Sequence, residues 1–209
     1  MLQDMKELIH QIKNTKNAVV LLEGTRNLPK TKEPSLISFA EQLALGCPDV
    51  KFRTGNASGT DEAFAQGIAN INPSLLEYVI PYKTMRKSKL HKKARIVSLD
   101  EIPTFEQAQL KAETIKSYPS IANLIDYYFD KGIRNRLSYK AMYLLRDSLK
   151  VIGSDGIKLN PATLGIFYVD PEKPLTGGTG HTIRVCKQNK IPALTQGEWR
   201  SYMGKEYLI

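Results

Sequence analysis

The sequence has few cysteines and no long apolar run. Cys47 and Cys186 are its only cysteines among 209 residues, too few for a disulfide scaffold or a cysteine-rich zinc site. No apolar stretch approaches the ~18 residues that a membrane-spanning helix requires. The beginning of the chain carries Asp4, Glu7 and Lys13 among apolar residues, unlike a secretory signal. We therefore expect a reduced, cytoplasmic protein with no membrane partner.

The composition is that of one folded domain with an excess of positive charge. Apolar residues make up 42% of the chain and charged residues 24%, which excludes fibrous and mostly disordered classes. The length suffices for a single domain with its own core. The 30 lysines and arginines outnumber the 21 acidic residues and leave a net charge of +9. Such a balance favours polyanionic partners.

Seven of the cations lie close together, in a segment without an acidic residue. Clustered lysines and arginines are typical of a nucleic-acid surface, although a solvated loop has the same composition. Only Tyr82 borders the segment with an aromatic ring, whereas single-strand binding uses several. Both interpretations stay open. The candidate nucleic-acid-binding residues are Lys83, Arg86, Lys87, Lys89, Lys92, Lys93 and Arg95.

Short apolar strands alternate with helices in the first part of the chain. Runs of β-branched residues and leucine predict strands at residues 17–23, 50–54 and 75–81. Helical periodicity predicts helices at residues 35–45 and 61–70. This alternation is typical of a parallel sheet covered by helices on both faces.

The pattern changes after Tyr82 and resumes near residue 164. Helices are predicted at residues 105–117, 120–131 and 138–152, with no interior strand before residue 160. Strands at residues 164–170 and 191–195 follow. The prediction is an α/β fold, Rossmann-like and three-layered, with a mostly parallel sheet of about five strands. It forms a single domain over residues 1–209, with a helical insertion at about residues 82–160, between strands 3 and 4.

Three polar, glycine-bearing loops each follow a predicted strand and open a helix. In a parallel sheet such loops gather at one edge, where ligands bind. Glycine lets the backbone approach a ligand, and helix N-termini attract anions. The loops therefore predict a phosphate or carboxylate cradle, with ordinary tight turns as the alternative. The candidate ligand-binding residues are Gly24, Thr25, Arg26, Gly55, Asn56, Ser58, Gly59, Asp61, Gly177, Gly178, Thr179, Gly180, Thr182 and Arg184.

No standard cofactor motif accompanies these loops. Neither G-x-G-x-x-G nor G-x-x-x-x-G-K-[ST] occurs, which disfavours ordinary dinucleotide and P-loop nucleotide sites. His10, His91 and His181 lack the spacing of a metal site. We therefore predict no cofactor and no metal.

The loop sequences resemble motifs of a known superfamily. GTR at residues 24–26, TGNASGTDEAF at residues 54–64 and GGTGHT at residues 177–182 resemble the SLOG superfamily, which includes Smf/DprA and the Lonely-Guy phosphoribohydrolases. The resemblance is closest to its small phage and bacterial branch and covers about residues 17–70 and 164–196. It implies a Rossmann-like fold that binds a nucleotide, a nucleotide derivative or nucleic acid, and it is compatible with a homodimer.

One position departs from the Lonely-Guy motif PGGxGTxxE. The glutamate that serves cleavage of the N-glycosidic bond there corresponds to Arg184 here, so that route is not expected. Another acid or base would have to replace it. The candidates for a catalytic role are Glu23, Asp170 and His181.

These polar residues also have structural interpretations. Glu23 could pair with Arg26 or Arg53. Asp170 could form a turn before a proline, and His181 could face solvent at a helix start. Ser58 and Asp61 have the spacing of a capping box, which we favour over a ligand role for Asp61. Arg184 could hold a second phosphate or simply lie on a helix surface.

Three functions follow from these residues. The first is binding of a phosphorylated nucleoside or nucleotide derivative, with hydrolysis of an N-glycosidic or phosphate-ester bond as an associated activity. The second is a DprA-like accessory protein that binds single-stranded DNA. The third is a nucleotide sensor without catalysis, since the family glutamate is missing.

Overall fold

Six strands form one sheet in the computed structural model, which describes residues 4–85, 90–132 and 135–203. The strands are β1 (Val19–Gly24), β2 (Lys51–Thr54), β3 (Leu76–Ile80), β4 (Arg95–Ser98), β5 (Leu164–Tyr168) and β6 (Ala193–Thr195). Their order is β4-β3-β2-β1-β5-β6, and each neighbouring pair is parallel.

Helices cover both faces of this sheet. Those on one face and its edge are α1 (Met5–Lys13), α2 (Glu33–Gly46), α3 (Thr60–Ile71) and, near the chain end, α8 (Gln196–Trp199). Those on the other face are α4 (Thr104–Ser117), α5 (Ala122–Lys131), α6 (Arg136–Ile152) and α7 (Gly177–Gln188). The predicted Rossmann-like, three-layer α/β fold is confirmed.

Alternating side chains of β1 belong to hydrophobic clusters on opposite faces of the sheet. Val20 and Leu22 pack with α2 and α3, whereas Leu21 packs with α6 and α7. All residues of β1 are buried. A strand covered on both faces needs apolar side chains at successive positions, which explains the continuous apolar run in the sequence.

The sheet has six strands rather than about five, because β4 lies within the segment predicted to lack strands. Only Ile96 and Val97 are apolar in it, and four residues are too few for a recognisable period. Its first residue, Arg95, lies beside Glu77 of β3 in the strand register. The charged side chain is therefore matched by a buried acid, and the helical region begins at α4 rather than at Tyr82.

The strand order reverses beside β1. The chain runs outward from β1 through β2, β3 and β4, then crosses by way of α4–α6 to β5 on the other side of β1. Loops that follow two such strands diverge, which opens a crevice at their carboxyl ends. No helix in the described ranges has the length and apolarity to cross a membrane.

Candidate functional site

The three glycine-bearing loops meet at this crevice. Thr60 donates to the carbonyl of Thr25 through its backbone N–H (3.2 Å) and its Oγ1 (2.9 Å). Thr179 Oγ1 donates to the carbonyl of Gly24 at 2.8 Å. These bonds join the second and third loops directly to the first. Between the loops lies a cleft of about 400 Å³.

Seven of the predicted ligand-binding residues line this cleft: Gly24, Thr25, Arg26, Asp61, Gly177, Gly178 and Thr179. The other seven lie outside the lining that the described residues form: Gly55, Asn56, Ser58, Gly59, Gly180, Thr182 and Arg184. Gly59 has a structural task, since its φ of 82° suits glycine and a Cβ there would lie 2.5 Å from the carbonyl oxygen of Arg26.

The Arg184 side chain makes its contacts outside the cleft. Its guanidinium donates to the carbonyl of Leu175 at 2.9 Å and lies 4.3 Å from the centre of the Tyr118 ring. These contacts hold the loop before α7 against the end of α4. Of the two interpretations of Arg184, the structural one describes its observed contacts.

Asp61 organises the loops through its side chain. Its carboxylate accepts from the backbone N–H groups of Gly24 (3.1 Å), Gly55 (3.2 Å) and Ala57 (3.2 Å). The predicted capping box with Ser58 is wrong, because Gly59 is the N-cap of α3 and no side chain caps it. A buried carboxylate at this junction is better satisfied by three converging amides than by the start of its own helix.

The N-terminus of α7 opens into the cleft. Thr176 is its N-cap, and no side chain caps the helix among the described residues. The backbone N–H groups of Gly177, Gly178 and Thr179 have no acceptor within the helix, as in any first turn. These three residues and Thr176 line the cleft. The partial positive charge of the helix end therefore faces the cleft.

Two exposed cations lie at the cleft rim. Arg26 follows β1, and Lys173 precedes α7; both line the cleft. Neither forms an ion pair with a residue in the described ranges. Their charges are therefore available to an anion in the cleft.

Buried charged residues form the floor of the cleft. Lys150 Nζ lies 2.6 Å from Glu23 Oε1 and 2.8 Å from Asp147 Oδ1. Arg146 lies 3.0 Å from the same Asp147 oxygen and donates to the carbonyl of Gly55 at 2.6 Å. All four charged residues are at most 5% exposed and line the cleft. Helix α6 thus supplies three of the four charges.

Arg146, Asp147 and Lys150 are not among the residues predicted for the site. The helical periodicity of this segment predicts its apolar face and gives these charged residues no role. The available signal was their spacing, because three charges at positions i, i+1 and i+4 share one side of a helix that is otherwise rich in leucine. Partners such as Glu23 and Gly55 lie far away in the chain, so the spacing alone does not predict what these charges contact.

The two acids of the floor have pKa values shifted in opposite directions. Burial raises the pKa of Glu23, and the negative charges of Asp61 and Asp147 add to this effect against the opposing charge of Lys150. Burial also acts to raise the pKa of Asp147, but Arg146 and Lys150 outweigh it and hold that pKa below its usual value. Glu23 is thus the acid that more readily holds a proton, and Asp147 the one that stays ionised.

The ion pairs expected for Glu23 are not the observed ones. Neither Arg26 nor Arg53 contacts it as an ion-pair partner, because Lys150 takes that place. Arg53 is fully buried and pairs with Glu77 at 2.7 Å. It also donates to the backbone carbonyl of Lys150 at 2.7 Å, which fixes α6 on the sheet.

The other two candidate catalytic residues differ in position. Asp170 lines the cleft, and its Oδ1 accepts from the N–H of Glu172 at 3.0 Å, which forms the expected turn. His181 is 1% exposed and its Nε2 lies 3.2 Å from Ser148 Oγ. It therefore neither faces solvent nor belongs to the cleft lining that the structure describes. Burial lowers the pKa of His181.

The basic segment is only partly described. Lys83, Lys92 and Lys93 are exposed. Arg95 bonds to Glu77 Oε1 (3.1 Å) and to the carbonyls of Ile157 (2.6 Å) and Lys158 (2.9 Å), so its charge is used within the fold. Arg86, Lys87 and Lys89 lie outside the described residues.

Comparison of the chain with protein-family models, with curated proteins and with solved structures finds no match. The resemblance to the SLOG superfamily therefore stays a prediction from the loop motifs.

Proposed function

We propose that the cleft binds a phosphorylated nucleoside or nucleotide derivative of the kind that SLOG proteins bind. One observation carries the proposal: the start of α7 and the cations Arg26 and Lys173 line the same cleft, and none of them has a side-chain cap or ion-pair partner in the part of the chain that the structure describes. Backbone amides at a helix start and a guanidinium both favour a phosphate group. The cleft volume of about 400 Å³ lies within the usual range for small-molecule sites.

The charges of the cleft have a layered arrangement that suits such a ligand. Glu23, Asp147, Arg146 and Lys150 balance one another at the floor. Arg26 and Lys173, which pair with no acid in the described ranges, are at the rim, where a phosphate can keep part of its hydration. A ligand with its phosphate at the rim would place its sugar toward the floor.

Hydrolysis of the N-glycosidic bond is the second candidate, favoured by the opposite pKa shifts of Glu23 and Asp147. Two acids with separated pKa values can act as acid and base. For this reaction Glu23 would have to release Lys150 and hold a proton, which it would donate to the leaving base, while Asp147 would take a proton from the water that attacks the sugar carbon. The products would be a free base and a sugar phosphate.

The binding proposal is tested by calorimetry with AMP and with adenosine. We expect AMP to bind and adenosine, which lacks the phosphate, to bind at least tenfold more weakly, because hydrogen bonds to charged groups are the stronger ones. Arg26→Ala should weaken AMP binding by roughly tenfold. Lys187→Ala is the matched control, since it removes an exposed charge at the other end of α7. Equal binding of AMP and adenosine, or an Arg26→Ala protein that binds AMP normally, would overturn the proposal.

The same protein separates the remaining functions. Release of adenine from AMP that disappears in Glu23→Gln would support hydrolysis, whereas AMP binding without release would favour the sensor. Retention of single-stranded DNA that falls steeply with salt and is unchanged by Arg26→Ala would favour the DprA-like function through the basic segment.

A further inference from the structure

The two carboxylate oxygens of Asp147 have different surroundings. Oδ1 contacts both Lys150 Nζ and Arg146. Oδ2 is buried and has no hydrogen-bond partner among the described residues. An acceptor in such a position is costly unless a donor reaches it. The side chain lines the cleft, so a ligand is the group that could supply this donor.

A glycine in the first turn of α7 lies directly beside Oδ2. A Cβ built on Gly178 would lie 2.9 Å from Asp147 Oδ2, and outside the neighbouring backbone only Asp147 comes within 4 Å of that position. Gly178 also lines the cleft. Gly178 thus lies against Asp147 in the cleft wall, where a side chain would press on Oδ2.

The other buried acids of the cleft have their oxygens occupied. Glu23 Oε1 pairs with Lys150, and its Oε2 accepts from Thr182 Oγ1 at 3.1 Å. Asp61 accepts from three backbone amides through both of its oxygens. Among the buried acids of the cleft, Asp147 is thus the one with a carboxylate oxygen, Oδ2, that no donor in the described residues reaches.

We propose that Asp147 accepts a hydrogen bond from one of the two ribose hydroxyls of the ligand, so that the cleft discriminates against a nucleotide that lacks this hydroxyl. This inference rests on the proposed phosphate site. A carboxylate repels a phosphate, so the phosphate stays at the rim. A ligand ammonium group is disfavoured because Arg146 and Lys150 already supply two positive charges. A neutral hydroxyl is the donor that fits, and in a nucleotide the ribose carries it.

The test compares AMP with its 2′-deoxy and 3′-deoxy analogues by calorimetry. We expect at least one analogue to bind ten times more weakly than AMP, because the loss of its hydroxyl leaves Asp147 Oδ2 unpaired. Gly178→Ala should remove most of this difference, since a Cβ 2.9 Å from Oδ2 would displace the Asp147 carboxylate. Asp147→Asn should also reduce it, and serves as the second variant where Gly178→Ala folds poorly. Gly197→Ala, whose Cβ meets only Thr195 Oγ1 at 3.9 Å, should retain the full difference.

Each outcome bears on one claim. If AMP and both analogues bind equally well, the inference about Asp147 is overturned while the phosphate site stands. If neither AMP nor its analogues bind, the proposed function fails and this inference fails with it. If the wild type prefers AMP but neither Gly178→Ala nor Asp147→Asn changes the preference, another group reads the hydroxyl and the inference is overturned.

Discussion

Lys150 Nζ lies 2.6 Å from Glu23 Oε1 and thereby joins α6 to the end of β1 inside the protein. Both side chains are at most 4% exposed. Burying such a pair costs desolvation, but removing one partner costs more, because the remaining charge stays in a nonpolar environment. The pair therefore fixes the helix that carries the floor of the cleft.

Lys150→Met should lower the free energy of unfolding by about 3–5 kcal/mol, because Glu23 and Asp147 lose a shared cation. Urea denaturation measures this loss. Lys111→Met is the matched control: Lys111 pairs with Asp126 at 2.7 Å, but both side chains are substantially exposed. That exposed pair should contribute under about 1 kcal/mol.

A second substitution distinguishes loss of charge balance from loss of packing. Adding Glu23→Gln to Lys150→Met should recover part of the stability, because an amide needs no counter-charge. The role of this pair would be contradicted if the two substitutions lowered the free energy of unfolding additively. It would also be contradicted if Lys150→Met lowered it no more than Lys111→Met does.

Asp61→Asn should loosen the junction of the first two loops. An amide side chain cannot accept from all three backbone N–H groups that the carboxylate binds. We expect a loss of roughly 1–3 kcal/mol and faster hydrogen exchange at the amides of Gly24, Gly55 and Ala57. Ser58→Ala should change stability by less than about 0.5 kcal/mol, because Ser58 is exposed and does not cap α3. A large loss of stability in Ser58→Ala would instead indicate that Ser58 caps α3.

His181 should make the protein less stable in mild acid. Burial lowers its pKa in the folded protein below the ordinary value of 6.5. Below that pH the unfolded chain binds a proton that the folded chain does not, so stability falls as the pH falls. His181 alone accounts for at most about 1.4 kcal/mol per pH unit.

Urea titrations between about pH 7.5 and about pH 5.5 measure this dependence. His181→Gln should have a flatter profile than the wild type, whatever its absolute stability. Equal slopes for wild type and His181→Gln would contradict the proposed titration.

The fold class could be predicted because buried strands leave a strong pattern. β1 is buried on both faces, so its apolar run is continuous, and glycines mark the end of β1, the loop after β2 and the start of α7. β4 left no such pattern. It is an edge strand of four residues, and Arg95 belongs there only because Glu77 lies beside it in the folded sheet.

The site was predicted in part. The glycine loops identified which segments meet, since the carboxyl ends of parallel strands share an edge. The floor of the cleft was missed, because a charge on a helix normally faces solvent. Lys150 is buried only because α6 crosses the end of β1 and meets Glu23, a contact between distant segments that local periodicity does not contain.

The most direct test of the central claim follows the backbone amide signals by NMR during titration with AMP. We expect saturable shifts at Gly177, Gly178 and Thr179, together with Thr25 and Arg26, because the proposed phosphate site lies between the start of α7 and the loop after β1. Shifts confined to residues 83–95, or no shifts at these five residues at saturating AMP, would contradict it.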